Sequence, residues 1–501
     1  MKLKFLSNTF NFKWWVYLTV FIFGLFHLLI AILDHYYLRT FTYDYGVYNF
    51  AFYHFAHAAL PAVPLYKVFV SYPIHFLQDH FSLTLIILSP LYWLTCNLFG
   101  TYLLLLIQWA FVLFGAWCTF KLIYHKFQNT TFALLAFVYY FVLYGRYSSY
   151  QSDCNLAIIG AAMLPVFFYF FEIKHKWGTL ISFVFLLLNR EDLPLCLFFI
   201  CLYLMLAYRK EVKQVKLAGW LATFSLIAFI LIMQVIVPAL EDENKKFGLF
   251  EYTALGSSPG SALTYILMHP FKALSYLFVN HSGEPQYDKE KISFYVLYGL
   301  SGGLLLIFRP SYFICFIPIL AKKMFNDNPV RWGYEMYYSI EIASLLPIFV
   351  FSIIGDLKWP RLRVVLAAML CISTLIITSY AIRISFNSGL GNYKYNVFSA
   401  DFYKVPPDVV QTHALLDMIP ANAAVCASGD LIPHLAQRSK IYFYPSMNDA
   451  DYLCVNAGAS TYPVSREEFD KRLNELLRSS DWHLLAVSGK VMLLKKSANL
   501  P

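Results

Sequence analysis

Few charged residues sit among the long apolar runs of this chain, and those few mark where chemistry is possible. Asp44 stands in a knot of aromatic rings, FTYDYGVYNF at 41–50, with Asp34 and His35 just before it. Asp79 and His80 follow, then Arg146 and Asp153 in GRYSSYQSD, and Arg190, Glu191 and Asp192 in NREDLP. One carboxylate of this set suits a general base that takes a proton from a hydroxyl or amine, a task commonly worth about 10²–10⁴ in rate. The arginines suit bidentate binding of a phosphate or pyrophosphate. Tyr43, Tyr45, Phe50 and Phe52 suit stacking on a sugar ring or sheltering a lipid tail. GSSPGSALTY at 256–265 opens a helix with small residues, and free amides at Gly256 and Ser257 suit phosphate. Tyr252, in YTALG, belongs with the polar residues of the same face.

Each piece also has a plain structural reading. Asp44 before Tyr45 and Gly46 fits a turn or helix cap, and Asp153 and Asn155 fit a cap on the next helix. Arg190 and Glu191 fit an internal ion pair closing a short span. Asp79 fits another cap, with His80 at the surface. His54, His57, His75 and His80 allow a zinc site, although scattered histidines are more often not ligands. Several such features on one face favour a site over separate capping events. What puts them on one face is the path of the chain.

The chain has 501 residues, 59% hydrophobic and 14% charged, where soluble domains carry about 25% charged residues. It reads as a polytopic α-helical membrane protein. The net charge of +9 falls largely in short clusters between apolar runs, where it sets orientation rather than binding nucleic acid. Nine cysteines show no CxxC pair, and Cys426 and Cys454 read as buried strand thiols.

Lys2, Lys4 and Lys13 place the N-terminus in the cytoplasm, and the run at 14–33 is a retained span that exits near Asp34. Residues 35–80 form an external loop. Residues 81–99 are expected as a juxtamembrane helix, broken at Pro90 and ended near Gly100, because counting them as a span would invert every basic loop downstream. Spans follow at 101–120, 130–145, 154–171, 177–188, 193–208 and 217–238. They place KLIYHK, EIKHK and RKEVKQVK inside and the acidic ALEDENKKFGLFEY outside. An external loop at 239–291 carries an amphipathic helix over 261–279. Spans at 292–308, 310–324, 337–355 and 364–382 complete a domain over 1–382, with about eleven transmembrane helices in all. Lys322 and Lys323 fall on the wrong side in this scheme.

Residues 383–501 change character. Helices over 405–420, around 430–438 and over 465–477, strands at 423–428 and 451–458, and a strand pair turning at Ser488–Gly489 read as a small extracytoplasmic α/β domain. It has no glycine-rich phosphate loop.

Seven motifs occur in order: TYDYGVYNFAFYH, HFSLTLIILSPLYWL, LLLIQ, DCNLAIIGAAMLP, LNREDLPL, YTALG and IPHLAQRSKIYFYP…ADYLCVN. The chain resembles an uncharacterised family of bacterial predicted membrane proteins that carries a domain-of-unknown-function label. That family in turn resembles the GT-C superfamily of multi-span glycosyltransferases. The resemblance implies a GT-C-like fold in the bacterial inner membrane and an inverting sugar transfer from a polyprenyl-phosphate donor. The acceptor would be an extracytoplasmic lipid, glycan or protein. It implies Asp44 as general base with Asp34 as second choice, and Arg146 or Arg190 on the departing phosphate. It also leaves a place for a divalent metal. The first loop has Asp44–Tyr45 where many such enzymes show an adjacent acidic pair. A transporter or flippase of lipid-linked sugars and a non-catalytic envelope scaffold are the alternatives. Transporters place ionisable groups near the bilayer midplane and often carry internal repeats. Here the charges cluster at one face.

Overall fold

The computed structural model describes residues 13–68, 74–150, 153–240, 250–388 and 396–497. Lys2, Lys4 and the acidic stretch at 241–249 lie outside the described residues. Apolar side chains with few charges dictate helices, because the backbone of a lipid-facing segment has to satisfy its own hydrogen bonds. Among the described residues four helices are long and apolar enough to cross a membrane: Trp14–Tyr36, Pro90–Phe127, Val212–Leu240 and Pro360–Ile384. Shorter apolar helices run over Thr130–Val142, Leu156–Glu172, Lys176–Asn189, Leu193–Ala207 and Ile340–Gly355.

In chain order α1 is Trp14–Tyr36, α2 Val47–Ala56, α3 Pro90–Phe99, α4 Leu103–Phe127 and α5 Thr130–Val142. Then come α6 (Tyr144–Ser149), α7 (Leu156–Glu172), α8 (Lys176–Asn189), α9 (Leu193–Ala207) and α10 (Val212–Leu231). The last continues through one π-helical turn, Ile232–Ile236. Helix α7 is the central post: it packs on α4, α8 and α14 (Ile340–Gly355), and Leu156 to Phe168 are all buried. Gly115 of α4 permits that close approach, since a Cβ there would lie 2.3 Å from the Ala162 carbonyl oxygen. The segment over 81–99 is broken at Pro90 and ends at Gly100, as its sequence implies. A short helix at Thr84–Leu88 meets α3 at Pro90, and Gly100, at φ +49°, turns the chain into α4.

Two expected spans differ. Residues 292–308 and 310–324 are not continuous α-helices. The first is α12 (Glu290–Leu300) followed by a 3-10 turn at Gly303–Phe308. The second is a 3-10 turn at Pro310–Phe316 followed by α13 (Ile317–Met324). The glycines and prolines at 302, 303, 310 and 318 explain the breaks. The amphipathic helix expected over 261–279 is likewise interrupted, with α11 (Pro259–Met268) ending before a shorter helix that starts at Pro270.

Polar contacts sort the loops to two ends of the bundle. At one end Lys126 pairs with Glu172 at 3.2 Å and Lys174 with Glu211 at 2.6 Å. There Tyr208 donates to Glu172, and Arg363 lies over the Phe127 ring. Arg309 meets Asp356 at 2.6 Å, so the turn between the broken segments reaches this same end. These are the basic loops that the charge pattern of the sequence expects together on one side. The opposite end collects residues 79–80, 153–155, 190–192, 322 and 341.

The last of the long helices, α15, spans Pro360–Ser388. Beyond it lies a five-stranded mixed sheet of order β2-β1-β3-β5-β4. Its strands are β1 Val425–Ala427, β2 Ile441–Phe443, β3 Tyr452–Asn456, β4 Trp482–Ser488 and β5 Val491–Lys496. Strand β1 is parallel to β2 and β3, whereas β5 is antiparallel to β3 and β4. Helices α16 (Val409–Asp417), α17 (Ile432–Leu435) and α18 (Arg466–Arg478) accompany it. Strand β2, in KIYFYP, is absent from the sequence reading because it is short and ends at a proline. Cys426 and Cys454 are free and buried, as expected of strand thiols.

The sheet domain docks on the loop after α1. The His434 ring stacks on His35 at 3.9 Å, and Gln437 Nε2 donates to Asn49 Oδ1 and to the Gly100 carbonyl at 3.0 and 3.1 Å. Thr42 Oγ1 donates to the Gly429 carbonyl at 2.9 Å. A Cβ at Gly429 would sit 2.3 Å from the Phe41 ring. Gly429→Val should therefore loosen the docked domain at a cost on the order of 1–3 kcal/mol. Limited proteolysis should cut the variant between the bundle and the sheet domain faster than wild type.

Candidate functional site

Asp44 sits where the chain is bent against its preference. Its backbone is at φ 65° and ψ −79°, in a turn between the extended residues Phe41 and Tyr43 and the start of α2. A non-glycine residue held there costs about 1–3 kcal/mol, so the surroundings must enforce it. They do so from two sides. Phe41 N–H donates to Asp153 Oδ2 at 2.8 Å, tying the loop to the start of α7, while Thr42 is held by Gly429. Gln108 fixes that start, accepting from Asn155 N–H at 2.9 Å and donating to the Asp153 carbonyl at 2.8 Å. Asn155 Oδ1 caps α7 through Ala157 N–H, as its position suggests, and its amide lies beside the Asp44 carboxylate.

Asp44 is half-buried. Burial raises its carboxyl to about 6, against the opposing pull of His80, Asn155 and Arg190. Asp79 is not a helix cap: it accepts from the Tyr66 hydroxyl and faces His80 Nε2 at 3.2 Å. Tyr48, Tyr66, Tyr337 and Tyr338 lie close enough to feel the Asp44 charge. The carboxylate thus looks into a wall of hydroxyls.

A second layer comes from the turn between α8 and α9. Arg190 pairs with Asp192 at 2.9 Å rather than with Glu191, and its other side reaches Glu341 at 4.0 Å. Lys322 bridges Asp192 at 2.5 Å and Glu341 at 2.9 Å. Burial alone would raise Asp192, yet Arg190 and Lys322 outweigh it and hold the carboxyl down at about 2. Burial raises Glu191, and Arg190 offsets that only in part. Glu191 Oε2 is buried with no hydrogen-bond partner among the described residues. Tyr252 lies within the field of Lys322, Arg331 and Asp192.

Asp44, Asp79, His80, Arg190, Glu191, Asp192 and Tyr252 therefore share one end of the bundle. Other expected residues take different places. Asp34 faces Arg39 at 3.7 Å, and Arg39 lies over Tyr37 and Phe402, a local brace at the end of α1. Asp153 anchors the loop. Arg146 lies buried against α14, donating to Ser344 Oγ at 3.0 Å. Gly256 and Ser257 precede a helix start closed by its own capping box between Ser258 and Ser261, and the Gly256 amide donates to the Thr253 carbonyl at 3.1 Å. Among the described residues no group of three or more His, Cys, Asp or Glu is placed to hold a metal.

Lys322, Glu341, Tyr337 and Tyr338 were not among the expected site residues. Two of them left a trace: Lys322 broke the orientation rule, and Glu341 is an acid inside an apolar helix, a position that usually demands a partner. Lys322→Met should leave Asp192 and Glu341 short of positive charge and destabilise the protein by about 3–5 kcal/mol. Adding Glu341→Gln should recover part of that loss in thermal unfolding of the purified protein.

None of the curated proteins matches the chain. A family model described as a predicted membrane protein, DUF2079, matches residues 34–490. The match takes in the Asp44 loop, the 190–192 turn and the docked sheet as far as β4. The chain is a membrane protein of the DUF2079 family.

Proposed function

We propose that the protein is a membrane glycosyltransferase that moves a sugar from a polyprenyl-phosphate donor to an extracytoplasmic acceptor with inversion. The observation that carries this reading is the meeting of Asp44, half-exposed and poised near neutrality, with Arg190 and its ionic support at one end of the bundle. Asp44 takes the proton of the acceptor hydroxyl or amine. The acceptor atom bonds to the anomeric carbon as the bond from that carbon to the phosphate oxygen breaks, and polyprenyl phosphate leaves with the electron pair. Negative charge grows on that oxygen, and a fixed cation stabilises it best where water is excluded. Arg190 fills this role, with Lys322 behind it and Asp192 and Glu341 holding both in place. The tyrosines around Asp44 offer hydroxyls and ring faces to the sugar.

This reading places the bacterial inner membrane around the bundle, the N-terminus in the cytoplasm, and the site and sheet domain outside. The sheet domain shapes the acceptor side through its hold on the 41–49 loop. The gathering of charges at one end rather than mid-helix favours chemistry over the transporter alternative.

Incubation with radiolabelled polyprenyl-phosphate sugars should release polyprenyl phosphate only when acceptor is present. Asp44→Asn should abolish release while membrane insertion is retained, and wild-type turnover by that variant would remove Asp44 from the mechanism. Because the base must be ionised, the rate of the native protein should rise with pH along a limb centred near 6.

The same shift has a stability sign. Between the ordinary value of 3.8 and about 6 the folded state binds more protons than the unfolded state, so stability falls as pH rises through that window. At pH 7 Asp44→Asn should therefore be more stable than wild type by on the order of 1–3 kcal/mol, read as a raised unfolding midpoint.

A further inference from the structure

The reaction proposed above leaves Arg146 unused, and Arg146 is the most exceptional charge in the molecule. Its side chain is completely buried on α6. No carboxylate lies within ion-pair distance of it among the described residues. Its guanidinium stacks on the Tyr140 ring at 4.1 Å and donates one hydrogen bond, from Nη2 to Ser344 Oγ at 3.0 Å. Nε and Nη1 have no hydrogen-bond partner among the described residues.

The neighbouring side chains bring hydroxyl oxygens, Tyr140 beside Arg146 among them, but no counter-charge. The hydroxyls of Tyr140, Tyr298 and Ser339 are also buried without a hydrogen bond of ordinary geometry. The Tyr298 hydroxyl lies against Gly145, next to Arg146, and Tyr140 and Tyr298 both feel the guanidinium charge. All of these groups can donate a hydrogen bond. The nearest acid along α14 is Glu341, one turn before Ser344, and it is already committed to Lys322 and Arg190. A guanidinium cannot shed its charge by losing a proton, and burying it without a counter-charge costs several kcal/mol. Water would satisfy the hydrogen bonds but not the charge.

We propose that a small monovalent inorganic anion of the halide class is bound beside Arg146. Its ligands are the Nε–H and Nη1–H of Arg146 and the hydroxyls of Tyr140, Tyr298 and Ser339. Full burial favours a compact ion over the phosphate of a lipid. Bound there, the anion joins α5, α6, α12 and α14 at a point behind the Asp192–Lys322–Glu341 network. It therefore acts on the stability of the bundle. This inference does not depend on sugar transfer.

The test is thermal unfolding of the purified full-length protein in chloride, bromide or gluconate at equal ionic strength. The midpoint should rise saturably with chloride and bromide and stay flat with gluconate. Arg146→Gln should lose the halide response. Tyr298→Phe, which keeps the charge and the ring, should need several-fold more halide for the same shift, and it covers the case in which the arginine variant does not fold. Crystals grown in bromide should show an anomalous peak beside the guanidinium. Equal midpoints in halide and gluconate, or water alone at that place, would overturn the proposal. Displacement of the halide effect by polyprenyl phosphate would also overturn it, by assigning Arg146 to the donor instead. Sugar release by native protein and by Asp44→Asn is read separately, so either idea can fail alone.

Discussion

A chain of four charges, Arg190, Asp192, Lys322 and the buried Glu341, underlies the architecture around the site. An apolar bundle tolerates charge only where it is matched. The match here joins the 190–192 turn to the end of α13 and the beginning of α14. Those segments lie 130 residues apart between Asp192 and Lys322, with Glu341 a further 19 along. The network thus fixes which loops share an end of the bundle. Asp44 is placed by a different device, a strained turn held by Asp153 and Gly429, and it lies within reach of the Arg190 charge.

Charge pairing also explains what could be read in the sequence. The basic clusters at 121–126, 172–176, 209–216 and 356–363 gave the alternation of the helices, because desolvation makes loop charge a record of side. The break at Pro90 and the turn at Gly100 were legible for the same reason: without them the parity fails. Parity grouped Asp44, Asp79, His80 and the 190–192 turn, but it grouped Asp34, Arg146 and Asp153 with them, and these take other places.

The remainder was hidden by contacts that leave no local pattern. Spans at 292–308 and 310–324 looked continuous because apolar composition masks the glycines and prolines that convert them to 3-10 turns. Asp34 and Asp153 had the right type, yet Asp34 braces Arg39 at the end of α1 and Asp153 holds the loop. Lys322 is the instructive case. Its violation of the orientation rule was visible, but the acids that explain it lie far away in the chain, and distance in sequence carries no sign of a salt bridge.

The hold of the sheet domain on the 41–49 loop has a consequence for biosynthesis. Residues 429 and 437, which supply the closing contacts, emerge from the ribosome long after the loop they shape. During translation the partly inserted bundle carries an unfinished centre. Its strained turn has the Asp153 hold first and gains the Gly429 hold only once the sheet domain has been made. The shape of the loop around Asp44 is thereby settled late in synthesis.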